Sequence, residues 1–275
     1  SRRLHRVIMN LICNGTALEV TVAGSGEPVL IIHGFTGSAL AMKSLSDRLP
    51  GRRIVPDLIG HGRSESPVSL TAYNLDAVSQ QLSSLLEQLN ATPTAIVGYS
   101  MGGRVALNFA VNHPEKVRSL TLIGASPGIE SDSDRLDRRD ADNKLAASIS
   151  DLGVKAFIES WVDMPMWESL RNKLTATQWQ ESIAERQTNH PLGLANSLRA
   201  SGTGNMNPLH EALRTLKVPT LLLVGDKDQK FLQIAHDMST ALPNASIQVI
   251  ADSGHATHLE QPDATATAII EQLSC

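Results

Sequence analysis

The architecture of this chain is written most plainly in the stretch Thr94-Ala95-Ile96-Val97-Gly98-Tyr99-Ser100-Met101-Gly102-Gly103-Arg104. Thr94 to Val97 is a largely apolar run that predicts a buried strand, and the pattern from Gly103 to Val111, stopped by His113-Pro114, predicts a helix. Between them, Gly-x-Ser-x-Gly forces a sharp strand-to-helix turn, with glycine where side chains would collide across it. Runs of the same type recur on both sides: Val29 to Ile32 and Arg53 to Val55 before it, Leu120 to Ile123 and Leu221 to Val224 after it. Strands without polar alternation are buried on both faces, as in a parallel sheet covered by helices. A further helical pattern runs from Leu75 to Leu89. This alternation predicts an α/β fold with a mostly parallel, doubly wound sheet and right-handed crossovers. Near the start, Arg6 to Cys13 and Ala17 to Val22 flank Asn14-Gly15, the dipeptide best suited to a tight hairpin.

The alternation stops between about Ser126 and Arg214, where no comparable apolar run occurs and all three tryptophans lie. So long an excursion between two strands predicts an inserted helical cap over 126–214, on a core built from 1–125 and 215–275. The 275 residues allow one to two domains and suit one large α/β domain with such an insertion as well as they suit two. Hydrophobic residues at 41% and charged residues at 19% exclude a disordered chain. A net charge of −4 argues against a nucleic-acid binder, which needs a basic surface to displace phosphate counterions. Cys13 and Cys275 are too few for a disulfide scaffold and fit a reducing compartment, the cytoplasm. No apolar run reaches the ~18 residues of a membrane span. Ser1-Arg2-Arg3 with Val7-Ile8-Met9 imitates a signal peptide, but Asn10 and Asn14-Gly15 interrupt it. The sequence leaves the oligomeric state open.

A serine hydroxyl becomes reactive only when a histidine takes its proton and an acid orients that histidine. Of nine histidines, His255 is the expected base: it sits in Ser253-Gly254-His255, on the loop after the predicted strand Ile247 to Ile250. Open α/β sheets place their sites at such carboxyl ends. His258, three residues on, is its nearest rival. Gly225-Asp226-Lys227-Asp228 ends the run Leu221 to Val224, so Asp228 is the expected acid, with Asp226 shaping the turn. The order Ser100, Asp228, His255 is the order this architecture uses. An oxyanion would be held by the Met101 N–H, at the helix N-terminus, and by the Phe35 N–H of His33-Gly34-Phe35-Thr36-Gly37. His33 reads as a brace for that loop, and Asp57-Leu58-Ile59-Gly60-His61-Gly62-Arg63-Ser64 as a structural turn. No Cys/His/carboxylate spacing suits a metal and no glycine-rich loop suits a dinucleotide, so neither metal nor cofactor is expected.

Taken together, the His-Gly loop, the Asp-x-x-Gly-His-Gly-x-Ser turn, the Gly-x-Ser-x-Gly elbow, Gly-x-x-Asp and Gly-His resemble the α/β-hydrolase superfamily over essentially the whole chain. A narrower resemblance is to the menaquinone-pathway lyases that make 2-succinyl-6-hydroxy-2,4-cyclohexadiene-1-carboxylate (SHCHC). Four stretches carry it: Gly98 to Arg104, Ser126-Pro127-Gly128-Ile129 with arginines beyond, Leu194 to Arg199 with Gly202-Thr203-Gly204, and Gly225 to Phe231. This resemblance implies that Arg104, Arg138 and Arg186 hold substrate carboxylates, that Tyr99 and Trp161 line the pocket, and that Lys230 borders it. Arg135 and Arg139 lie beside Arg138 as alternatives. One departure is Ala41-Met42, where the family often has a tryptophan. The implied partner is a small polycarboxylate. Independently, Arg104 lies one helical turn after Ser100, and guanidinium groups suit bidentate carboxylate binding. The implied reaction is removal of a proton α to a succinyl carbonyl and elimination of pyruvate, with no cofactor. The same three residues would also serve a carboxylesterase or a C–C bond hydrolase, and a non-catalytic receptor is a third reading.

Overall fold

The computed structural model describes residues 6–274; Ser1-Arg2-Arg3 and Cys275 lie outside the described residues. Eight strands form one sheet: β1 (Arg6–Cys13), β2 (Thr16–Ala23), β3 (Pro28–Ile32), β4 (Arg52–Pro56), β5 (Thr94–Tyr99), β6 (Val117–Ile123), β7 (Thr220–Gly225) and β8 (Ala245–Ile250). Their spatial order is β1-β2-β4-β3-β5-β6-β7-β8. β3 to β8 are parallel throughout, whereas β2 runs antiparallel to both β1 and β4. Asn14 (φ 47°) and Gly15 (φ 80°) supply the two positive φ angles that the β1–β2 hairpin turn requires.

The period of two along each strand divides the core between the two faces of the sheet. Leu30, Ile32, Ile96, Leu122 and Leu222 face the helices Leu75–Gln88 and Met101–Asn112, packing with Leu82, Leu86, Val105 and Phe109. Val29, Ile31, Val97, Leu221 and Leu223 face the other way, onto Met42, Leu45 and Ile269 of the helix Pro262–Leu273. This two-sided burial is why the central strands read as unbroken apolar runs.

All regular structure described between β6 and β7 is helical. A long helix, Asp132–Val162, breaks its helical geometry at Gly153 (φ 80°). Shorter helices follow at Glu168–Lys173, Ala176–Arg186 and Pro191–Ser201. The segment has its own apolar cluster, in which Ile149, Phe157 and Ile158 pack against Leu194 and Leu198. No helix among the described residues is long and apolar enough to cross a membrane.

Candidate active site

Four strand ends converge on one point. Directly after β5, Ser100 holds φ 52° and ψ −111°, a conformation side chains rarely adopt, with its N–H bonded to the Ile123 carbonyl at 2.8 Å. The two glycines of the elbow permit it. A Cβ on Gly98 would lie 2.8 Å from the Ala106 Cβ and collide with the Gly102 carbonyl, and one on Gly102 would collide with the Ile32 and His33 carbonyls.

The Ser100 hydroxyl lies 2.9 Å from His255 Nε2, and His255 Nδ1 lies 2.7 Å from Asp228 Oδ2. A carboxylate only accepts, so Nδ1 carries the proton and Nε2 is free to accept from Ser100. Asp228 caps the helix Gln229–Ala241, its second oxygen accepting the Phe231 N–H at 3.4 Å. Asp226 instead accepts the Ser253 N–H at 3.0 Å, tying the β7 turn to the loop that carries His255. His258 lies in the short helix Thr257–Glu260, its ring tilted 56° to that of Tyr99 at a separation of 4.3 Å, and burial pushes its pKa down to about 3. It is a neutral packing group rather than a second base. His33 bonds the Gly34 carbonyl through Nδ1 at 2.8 Å and accepts the Leu58 N–H at 3.0 Å, and burial pushes it down to about 4. It joins the loops after β3 and β4.

A cavity of about 570 Å³ opens over the Ser100 hydroxyl. Phe35 and Met101 flank Ser100 in its wall, and Met101 is the first residue of its helix, so its N–H precedes the intrahelical ladder. Trp161, Lys230, Arg104 and Arg138 also line it. The half-buried Arg104 guanidinium donates to the Ser201 carbonyl at 2.6 Å, a group left open at the C-terminus of the helix Pro191–Ser201. Burial, and then the charge of Arg138, push its pKa down to about 10, against the opposing pull of Asp142, so it is a cation at neutral pH. Arg138 Nε bonds Asp142 Oδ1 at 2.9 Å. Arg135 turns away, onto the Ile129 and Glu130 carbonyls and Asp132. Neither it nor Arg139 is in the cavity wall.

Two expected pocket residues lie elsewhere. Tyr99 is buried behind the wall between His255 and His258, with ring separations of 5.5 and 4.3 Å, its hydroxyl without a protein partner. Arg186 stacks 4.5 Å over the Trp167 ring and donates to Thr36 Oγ1 at 2.6 Å. Neither side chain lines the cavity.

Sequence reasoning missed Asp142, a buried carboxylate in the cavity wall whose second oxygen has no partner. Its position four residues after Arg138 on one helix was the available signal. Glu260 was also missed. Its carboxylate accepts the N–H groups of Gly254 at 2.8 Å and Ala256 at 3.3 Å, the residues either side of His255, and the Ser169 hydroxyl. Among the described residues, no three His, Cys, Asp or Glu side chains gather as a metal ion would need.

A strained serine after a central parallel strand, bonded to a histidine that is in turn bonded to an acid, both from later strand ends, defines a class. Residues 27–262 match the model of the alpha/beta hydrolase fold, and the chain belongs to that family. Within it, the chain is 30% identical over 250 residues to 2-succinyl-6-hydroxy-2,4-cyclohexadiene-1-carboxylate synthase of Enterobacter sp. (strain 638), covering 90% of this chain and 92% of the relative. Identity is 34% over 239 residues with a Bacillus subtilis (strain 168) relative, covering 86% of this chain and 87% of the other. The solved structure of MenH from S. aureus superimposes with a TM-score of 0.87 at 30% identity, covering 93% of this chain and 97% of that one.

Proposed function

We propose that this protein is an SHCHC synthase, a lyase that eliminates pyruvate from 2-succinyl-5-enolpyruvyl-6-hydroxy-3-cyclohexene-1-carboxylate. The observation that carries the reading is the hydrogen-bonded chain Ser100–His255–Asp228 opening into a cavity whose wall holds a desolvated, charged Arg104. A neutral ester needs no cation in that wall. A substrate with three carboxylates does.

The ring hydrogen at C2 lies between the succinyl carbonyl and the ring double bond, so its loss gives a conjugated enolate. His255, held by Asp228, accepts the Ser100 proton as the Ser100 oxygen takes the C2 proton. The Phe35 and Met101 N–H groups stabilise charge on the succinyl oxygen. As the enolate collapses, the C3=C4 electrons move toward C5 and the C5–O bond breaks. The departing enolpyruvate takes up one proton to become pyruvate, and the ring keeps the 2,4-diene. No covalent bond to Ser100 forms. Arg104 and Arg138 hold carboxylates, Trp161 and Lys230 bound the ring, and Tyr99 backs His255. Arg186 serves the substrate only by leaving Thr36. The segment 126–214 acts as the cap of a core formed by 1–125 and 215–275, and the small number of cysteines supports a cytoplasmic site of action.

Incubation with the enolpyruvyl precursor tests this. One pyruvate per precursor, with the absorbance of a conjugated diene, is expected. Absence of both alongside rapid ester cleavage would assign the same three residues to hydrolysis.

A further inference from the structure

We propose that Asn189, with Arg186, is a positioning residue for the oxyanion loop, so that the helical segment sets the hole and not only the substrate pocket. The proposal rests on the reading above that Phe35 donates to the oxyanion. Thr36, the next residue, has φ 66°, a conformation that costs most for a β-branched side chain. The Gly37 N–H closes a turn onto the Gly34 carbonyl at 3.0 Å, which puts Thr36 at the third turn position, where glycine is usual when φ is positive. Such a conformation persists only when its surroundings over-determine it.

Here the surroundings are two side chains from the helical segment. Asn189 Nδ2 donates to the Thr36 carbonyl at 2.8 Å, and Arg186 Nη1 donates to the Thr36 hydroxyl at 2.6 Å. All three residues are buried. Asn189 is itself fixed, because Nδ2 also donates to the Arg186 carbonyl at 2.9 Å and Oδ1 accepts the Gly62 N–H at 2.8 Å. Gly62 belongs to the Asp57 turn, whose carboxylate accepts the Arg63 N–H at 2.9 Å and, from beyond the oxyanion loop, the Ala39 N–H at 2.6 Å. The Asp-x-x-Gly-His-Gly-x-Ser turn thus holds the chain just beyond the oxyanion loop through Ala39 and holds Asn189 through Gly62, and Asn189 latches Thr36 to it. A latch that sets the Phe35 N–H acts on the transition state, where misplacement by about 1 Å can cost on the order of 100-fold.

Asn189→Ala should lower kcat for pyruvate release about 10- to 100-fold with KM within about twofold, and slow sulfonylation of Ser100 by phenylmethanesulfonyl fluoride. Asn189→Asp keeps an acceptor for Gly62 but not the donor to Thr36, and is read the same way if the alanine variant fails to fold. Glycine adopts φ 66° unaided, so in a T36G background Asn189→Ala should cost no more than about threefold. An unchanged kcat, a loss confined to KM, or an equal loss in both backgrounds would overturn the proposal. His255→Ala separates it from the reading beneath: if that variant leaves Ser100 sulfonylation undiminished, the triad reading fails. If His255→Ala abolishes sulfonylation and Asn189→Ala changes nothing, the latch alone fails.

Discussion

Replacing Arg104 by alanine removes a cation that the fold holds at some cost. Its pKa, pushed down from the usual guanidinium range to about 10 chiefly by burial, corresponds to about 3 kcal/mol of disfavoured charge, at 1.36 kcal/mol per factor of ten. That strain is relieved when a substrate carboxylate arrives, and losing one partner of a buried charge pair costs about 2–5 kcal/mol. At 1.36 kcal/mol per factor of ten, kcat/KM for the tricarboxylate should fall about 30- to 5,000-fold. The Ser201 carbonyl also loses its donor, so the variant should be destabilised by about 1–3 kcal/mol while remaining folded. Arg104→Lys should recover part of the activity, since an ammonium keeps charge without the planar fork. Steady-state pyruvate release measures the loss, and sulfonylation of Ser100 by a neutral reagent supplies the comparison, because it needs the triad but no carboxylate contact. Sulfonylation within about threefold of the parent is expected. An equal fall in both would show that Arg104 supports the site's shape and does not recognise charge.

Ser100→Ala, His255→Ala and Asp228→Asn should each suppress pyruvate release, and the double variants should be scarcely worse than the singles, because the three move one proton as a unit; additive losses in kcat would contradict this. Glu260→Ala, which frees the N–H groups on both sides of His255, should lower kcat and broaden the low-field His255 Nδ1 proton resonance in the NMR spectrum, with Glu260→Gln intermediate; an unchanged resonance would remove Glu260 from the positioning of the base. Acid should unfold the protein through His33, His61 and His258, buried neutral with pKa values of about 4, 3 and 3. Each has a folded pKa below its unfolded value near 6.5, so its contribution is complete above pH 6.5 and is lost as pH falls toward 4. The unfolding free energy from urea titrations should therefore fall over that window with a slope approaching three protons, about 4 kcal/mol per pH unit, and a flat profile would refute it.

The sheet and the triad were legible because both are set by local chemistry. Apolar runs such as Leu221 to Val224 mark strands buried on two faces, and Gly98-x-Ser100-x-Gly102 marks a turn that only small flanking residues allow. Asn14-Gly15 announced the hairpin for the same reason. What escaped is chemistry made by distant parts of the chain. Nothing near Asn189 says that it reaches Thr36, some 150 residues earlier, and the strain at Thr36 has no sequence mark because threonine stands where glycine would have shown it. Arg186 illustrates the other limit. The family resemblance implied a carboxylate partner for it, but its neighbours in the fold are Trp167 and the Thr36 hydroxyl. Arg138 lines the cavity, and its bond to Asp142 escaped the reading of the sequence although the spacing of four displays it.

The central claim is that Ser100 takes a proton from carbon and forms no bond to it. The most direct test is a single-turnover reaction with precursor deuterated at C2, following pyruvate and the mass of the cyclohexadiene product. The account predicts that pyruvate forms more slowly than from the unlabelled precursor, that the deuterium is absent from the diene, and that the intact enzyme carries no added mass at any time. An acyl adduct on Ser100, or deuterium retained at C2 while pyruvate is released, would contradict it.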